Sequence, residues 1–220
     1  MGLVDYQQVM RRVGEAAARA SRNPEEITVV AVSKGRPAHD VAVLYEAGHR
    51  DFGENRASEM AEKSTALPDD IRWHFVGSLQ SNKVRLVRGQ THLLHSLDRM
   101  SLAKAWLKGI GVPPPVLVEV NIGREEQKAG VVPEQAGDFV GKIIELGLKP
   151  RGLMAIPPLG EGPEDSREFF VELRQLRDRL AINVQQLTEL SMGMTNDFEV
   201  AIEEGASIIR VGRAIFESTH

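Results

Sequence analysis

The sequence predicts an α/β fold: a closed parallel (β/α)8 barrel, the TIM barrel, formed by residues 1–220 as a single domain with an extra N-terminal helix. Short apolar runs alternate with helical segments eight times, which is typical of a parallel sheet covered by helices. Gly and Pro occur singly at the ends of elements, so no linker divides the chain. An open doubly wound sheet is the alternative, and the count of eight favours the barrel.

The first half of the chain contains the extra helix and four strand–helix pairs. Residues 4–20 are expected to be helical, because Val9 and Val13 keep helical spacing and Asn23-Pro24 stops the pattern. Residues 27–32 form a β-branched run typical of a strand buried on both faces. Further strands are expected at 50–53, 72–76 and, weakly, 92–95, with helices at 37–48, 56–64, 82–88 and 98–108. Asp98 is the expected cap of the last helix.

The second half completes the barrel. Its most amphipathic helix carries apolar residues at 169, 170, 173, 176 and 180, a spacing of three, four and seven. Strands are expected at 116–121, 152–156, 186–190 and 207–210, and the remaining helices at 133–147, 195–205 and 213–217. Thr195 or Asn196 is the expected cap of the second of these helices.

Composition excludes several function classes. The chain has 42% hydrophobic and 26% charged residues and a net charge of −4, which is ordinary for a soluble globular protein and unlike a basic nucleic-acid binder. No cysteine is present, which excludes disulfides, thiolate metal sites and cysteine nucleophiles. No signal peptide or membrane-length apolar run is evident, so we expect a cytoplasmic protein without membrane contact.

The residues that follow the strands are the candidates for chemistry, because the active site of such a barrel lies at the carboxyl ends of its strands. Lys34 follows the first apolar strand, where a partly desolvated amine can attack a carbonyl carbon. A solvated lysine beyond a strand is the ordinary alternative. Around Gly212, the last strand turns into a helix whose free N–H groups favour a phosphate. Ser191 and Gly193 lie in the preceding loop, and together these groups suggest pyridoxal 5′-phosphate.

The chain resembles the pyridoxal phosphate homeostasis protein family. The matching stretches are Ala31-Val32-Ser33-Lys34, Phe52-Gly53-Glu54-Asn55, and residues 73–83, 118–122, 152–156, 190–194 and 209–216. They span nearly the whole chain in the family's order and spacing, which is more specific than any single motif. The resemblance implies a barrel like the N-terminal domain of alanine racemase.

The resemblance also implies the site. Lys34 would hold pyridoxal phosphate as an aldimine, with Asn55 near the ring. Ser191 and the amides of Gly212 and Arg213 would hold the phosphate. Arg210 would face the pyridine nitrogen and, because it stays cationic, would discourage protonation of the ring and weaken it as an electron sink.

Three positions depart from the family's usual residues. Arg213 stands where threonine is common, which removes a hydroxyl but keeps the amide, and Gly35 also stands where threonine is common. Glu217 replaces a glycine. None of these departures removes Lys34 or Arg210.

The favoured interpretation is therefore a cytoplasmic, monomeric carrier that passes the cofactor to apo-enzymes, without established catalysis. An amino-acid racemase or a Schiff-base aldolase is the alternative. A racemase of this type needs a second domain that supplies a tyrosine, and 220 residues leave no length for it. No metal site is expected, because His92 and His95 should face opposite sides of a strand. His74 is either a barrel-interior residue near the cofactor or a hydrogen-bonded core histidine, and Arg88 is expected on a solvated face.

Overall fold

A computed structural model describes residues 2–217 and contains a closed barrel of eight parallel strands, each paired with its neighbours in chain order. The last strand pairs with the first and closes the cylinder. The strands are β1 Thr28–Val32, β2 Asp51–Glu54, β3 Arg72–Phe75, β4 Thr91–Leu97, β5 Val116–Glu119, β6 Pro150–Met154, β7 Glu189–Ser191 and β8 Ile208–Val211. The predicted fold class is confirmed.

Helices alternate with the strands and cover the outside of the barrel. They are α1 Gly2–Arg19, α2 Ala38–Glu46, α3 Ala57–Ala66, α4 Val84–Val87, α5 Met100–Leu107, α6 Ala136–Glu145, α7 Arg167–Ala181, α8 Phe198–Glu203 and α9 Arg213–Phe216. Short 3-10 turns lead into α4, α6 and α7. The extra N-terminal helix is therefore present as predicted.

The expected fourth strand is present and is longer than predicted, at seven residues. Two predicted helix caps are wrong. Asp98 does not cap α5. Arg99 occupies the N-cap position without a side-chain cap, and the Asp98 carboxylate instead accepts a hydrogen bond from the Arg99 guanidinium at 2.5 Å. Asp197, rather than Thr195 or Asn196, precedes α8.

Arg88 was expected to be solvated, and it is buried. Its guanidinium donates to the carbonyl oxygens of Trp106, Ile110 and Gly111 at 2.5, 2.6 and 2.9 Å. The buried guanidinium therefore joins the end of α4 to the turn after α5 through three backbone carbonyls.

The barrel interior has an apolar layer of its own, separate from the core between strands and helices. It consists of Val30, Leu93, Leu117, Met154 and Ile208, one residue from each of five strands. Because side chains alternate along a strand, residues two positions further along point to the same interior. Glu119 and Arg210 therefore lie above Leu117 and Ile208, towards the carboxyl ends of the strands.

Helix α1 packs across α8 and α9, next to the pairing of β1 with β8. Arg12 donates to both carboxylate oxygens of Glu199 at 2.9 and 2.8 Å, and Arg19 donates to Glu203 at 2.8 Å. The helix thus joins the beginning of the barrel to its end. Across residues 2–217, no helix combines the length and apolar character needed to cross a bilayer.

Candidate functional site

Four adjacent strands bring the predicted site residues to one edge of the barrel. In the closed sheet the order is β2, β1, β8 and β7, and all four strands run in the same direction. Asn55 follows β2, Lys34 lies two residues beyond β1, Gly212 follows β8, and Ser191 ends β7. The four residues therefore lie at one end of the fold, and their roles stay predictions.

Lys34 is exposed in a turn, and its amine has no hydrogen bond or ion pair within the described chain. The backbone on either side is held. The carbonyl oxygen of Ser33 accepts from Lys63 Nζ at 2.7 Å, and the N–H of Gly35 donates to Glu59 at 2.7 Å. Gly35 has a φ of +70°, which favours glycine over the threonine common in the resembling family. The backbone around Lys34 is therefore fixed, while its amine is unpaired in the described chain.

A buried polar cluster lies behind this turn, and the sequence analysis missed it. Glu54 Oε1 accepts from Lys63 Nζ at 2.5 Å and from Ser33 Oγ at 2.6 Å. Both charged side chains are almost fully buried, 6% exposed for Lys63 and 0% for Glu54. The only signal in the sequence is a lysine nine residues after a strand-ending glutamate, which is common on exposed helices. Packing of α3 against β1 and β2 turns this ordinary pair into the support of the lysine turn.

The turn between β8 and α9 presents free backbone donors. The N–H groups of Gly212 and Arg213 have no backbone acceptor in the described chain, and no side chain caps α9. A Cβ at position 212 would lie 3.1 Å from the carbonyl oxygen of Val32, two residues before Lys34. The turn therefore approaches the lysine closely. The Arg213 side chain is exposed.

Glu217, one of the departures from the family pattern, also contributes here. Its carboxylate pairs with the Arg36 guanidinium at 3.1 Å, which ties the end of α9 to the segment just after Lys34. The glycine common at this position in the family could not make that contact.

Arg210 is buried at the centre of the barrel and is 4% exposed. Its Nη1 donates to Ser191 Oγ at 2.6 Å, and its Nη2 donates to the carbonyl oxygen of Ala155 at 3.0 Å. Burial lowers the pKa of the guanidinium to about 10, although the carboxylates of Glu119 and Asp197 act to raise it. Arg210 therefore remains cationic at neutral pH.

Ser191 is fully buried. Its hydroxyl forms hydrogen bonds inside the barrel and does not face the barrel mouth, the open end at which the strands terminate. Besides accepting from Arg210, its Oγ lies 2.8 Å from His95 Nδ1. The phosphate role that the resemblance implies for this side chain stays a prediction. At the carboxyl ends of the strands, the amides of Gly212 and Arg213 are free of acceptors in the described chain.

The interior histidines continue this contact towards the opposite end of the barrel. His95 Nε2 lies 2.9 Å from His74 Nδ1, and His74 Nε2 lies 3.1 Å from Asp51 Oδ1. His74 is thus a hydrogen-bonded core histidine. His95 is buried and His92 is exposed, yet both rings approach His74, with centroids 5.1 and 5.5 Å away. A register shift between β3 and β4 at Trp73 and His74 permits this.

Glu119 is a second residue that the sequence analysis missed. It lies at the end of β5 on the interior face, and its Oε2 is buried without a hydrogen-bond partner. Burial and the charge of Asp98 raise the pKa of this carboxyl to about 7, although Arg210 and Arg99 oppose the rise. The barrel mouth therefore holds a carboxyl group that changes charge near neutrality.

Asn55 lies beside the mouth with its Oδ1 buried and without a partner in the described chain. Gly77, which follows β3, approaches it so closely that a Cβ there would lie 2.5 Å from the Asn55 carbonyl oxygen. This close approach restricts the backbone of Asn55, while its side-chain oxygen remains without a partner in the described chain. Within residues 2–217, no group of three or more His, Asp or Glu side chains has an arrangement that could hold a metal ion.

Known proteins resemble this chain over nearly its whole length. The family model for the alanine racemase N-terminal domain matches residues 4–219. A pyridoxal phosphate homeostasis protein of Aquifex aeolicus is 44% identical over 216 residues, covering 95% of this chain and 94% of the relative. Its Escherichia coli namesake is 38% identical over 221 residues, covering 95% and 93%. The solved structure of Synechococcus elongatus PipY with pyridoxal phosphate bound has a TM-score of 0.78 at 34% identity, covering 93% of this chain and 99% of that one.

Proposed function

This chain belongs to the pyridoxal phosphate homeostasis protein family, built on the alanine racemase N-terminal domain, and we propose on that premise that it binds pyridoxal 5′-phosphate. The proposal depends on one observation. The Lys34 amine and the backbone N–H groups of the turn between β8 and α9 lie at adjacent strands, and both lack partners in the described chain. Within residues 2–217, the Lys34 amine has no partner, and the N–H groups of Gly212 and Arg213 at the neighbouring strand have none either. An amine can bind an aldehyde carbon, and backbone N–H groups can bind a phosphate. This pair of groups therefore suits an aldehyde that bears a phosphate.

The remaining residues fit the same cofactor. Lys34 would hold the cofactor through Nζ, and the cofactor would supply an electrophilic aldehyde carbon. Gly212 and Arg213 would donate to the phosphate oxygens. Asn55, whose Oδ1 has no partner among the described residues, would lie beside the ring.

Arg210 would donate to the ring nitrogen. It is cationic at neutral pH and has two of its nitrogens held by Ser191 and Ala155. A cation at this position opposes protonation of the ring nitrogen, so the ring withdraws electrons less strongly than one paired with a carboxylate. This suits a protein that holds the cofactor and releases it, acting as one monomeric domain in the cytoplasm and supplying apo-enzymes that use pyridoxal phosphate.

Borohydride trapping tests the proposal. The protein is incubated with pyridoxal phosphate, reduced, and measured by intact mass and peptide mapping. We expect one added cofactor on Lys34 in the native protein. We expect none at that position in Lys34→Ala, and undiminished labelling in Lys142→Ala, which removes an exposed lysine on α6.

Two outcomes would count against the proposal. A native protein that borohydride does not modify would refute cofactor binding through a lysine. Rapid interconversion of added D- and L-amino acids by the loaded protein would instead favour the racemase alternative over a carrier.

A further inference from the structure

The barrel interior contains a continuous line of hydrogen bonds that the proposed binding site does not by itself require. It links Arg210, Ser191, His95, His74 and Asp51, with contacts of 2.6, 2.8, 2.9 and 3.1 Å. Asp51 begins β2 at the amino end of the barrel, and Ser191 ends β7 at the carboxyl end. The line therefore runs through the barrel from one end to the other.

The chemistry of the two ends fixes the direction of the donors. Arg210 can only donate, so Ser191 Oγ accepts from it. At the other end the Asp51 carboxylate can only accept, and Arg72 also donates to it at 2.7 and 2.5 Å. His74 must therefore donate through Nε2, which leaves Nδ1 of a neutral ring as an acceptor.

The same rule then sets the middle of the line. His95 donates through Nε2 to His74, and its own Nδ1 accepts the hydroxyl proton of Ser191. Each of the four contacts then joins one donor to one acceptor, and the proton in each contact points from Arg210 towards Asp51. No polar side-chain atom of these five residues is buried without a partner. Burial lowers the pKa of His95 well below its usual value, which keeps its ring neutral.

We propose that His95, with His74 and Asp51 behind it, is a positioning residue that orients the Ser191 hydroxyl so that Ser191 holds Arg210 against the bound cofactor ring. His95 itself touches no ligand. The proposal rests on the proposed function, because the ring nitrogen is the group towards which Arg210 is held. Its structural half, the direction of the donors, is independent of any ligand.

The first test uses the protein without cofactor. Histidines labelled with 15N are examined by NMR at neutral pH, and the resonances are assigned with single His variants. We expect His74 and His95 each to carry its proton on Nε2 alone, while exposed His92 exchanges between tautomers. A proton on Nδ1 of His95 would reverse the direction of the line and overturn the proposal.

The second test separates positioning from packing by replacing His95 in two ways. In His95→Asn the amide oxygen can take the place of Nδ1 and accept from Ser191. In His95→Gln the amide nitrogen can take the place of Nε2 and donate to His74, but Ser191 loses its acceptor. His92→Gln, on the same strand and outside the line, is the control.

We expect His95→Asn to bind pyridoxal phosphate within about threefold of the native protein and His95→Gln to bind it at least about tenfold more weakly, with a shifted absorption band. Equal affinity in the two variants would refute the positioning role. If neither variant folds, the tautomers of His74 and His95 measured in the native protein decide whether the proposal stands. If the native protein binds no cofactor, the proposed function fails while the NMR result still stands for the direction of the donors.

Discussion

Glu119→Gln should make the protein more stable, and increasingly so as the pH rises. In the folded chain the pKa of this carboxyl is about 7, compared with an ordinary value of 4.5, mainly because the group is buried. Between these two values the folded state keeps the proton that the unfolded state has lost. Stability contributed by the protonated group is therefore present below pH 4.5 and is lost as the pH rises to 7.

The two values set the size of the effect. At about 1.4 kcal/mol per pKa unit, the difference between 4.5 and about 7 corresponds to about 3 kcal/mol. Glutamine has the same shape without the charge. The gain of the variant over the native protein should thus grow from under about 1 kcal/mol at pH 5 to about 3 kcal/mol at pH 8.

Urea unfolding followed by circular dichroism at pH 5, 6, 7 and 8 measures this gain. Subtracting the two proteins at each pH removes the contributions of other titrating groups, including His49, whose pKa burial lowers. Glu46→Gln, at an exposed position on α2, should stay within about 0.5 kcal/mol of the native protein at every pH. A Glu119→Gln variant that is destabilised equally across the range would show that the carboxyl is ionised and paired, contrary to the reasoning.

Two further predictions concern packing and buried charge, and both are measured by urea unfolding. Lys63→Met should cost about 3–5 kcal/mol, because it leaves Glu54 buried without its cation, whereas Arg11→Ala in an exposed pair should cost less than about 1 kcal/mol. Adding Glu54→Gln to Lys63→Met should recover part of the loss; a double variant no better than the single one would contradict this. Gly152→Ala should cost at least about 2 kcal/mol, because its Cβ would lie 1.9 Å from a carbonyl oxygen of β7. Gly141→Ala, in an open helical position, should stabilise by up to about 1 kcal/mol, and equal effects at the two glycines would refute the argument.

The outline of the fold and the location of the candidate site could be predicted from the sequence because they depend on local patterns. The β-branched run of β1 and the alternation that follows it identify a parallel barrel. In such a barrel all strands end at one edge, so Lys34, Asn55 and Gly212 were placed together without knowledge of any distance.

The interior could not be predicted in the same way. The line of hydrogen bonds through His95 and His74 depends on closure of the barrel and on a register shift between β3 and β4. No local sequence pattern predicts that shift. Glu119 resembles any polar residue that ends a strand, and only burial distinguishes it. In the sequence, Lys63 looks like a surface lysine. Only the packing of α3 in the fold brings it against Glu54.

The attachment of α1 to the end of the barrel has a consequence for synthesis of the chain. Its apolar residues Val9, Val13, Ala16 and Ala17 are buried in the finished protein, and α1 packs against α8 and α9. Arg12 and Glu199 are 187 positions apart. At about 5–20 residues per second, a ribosome needs about 10–40 s to span that distance. Helix α1 is thus synthesised long before α8 and α9, and in the interval its apolar face lacks the partners that cover it in the finished protein.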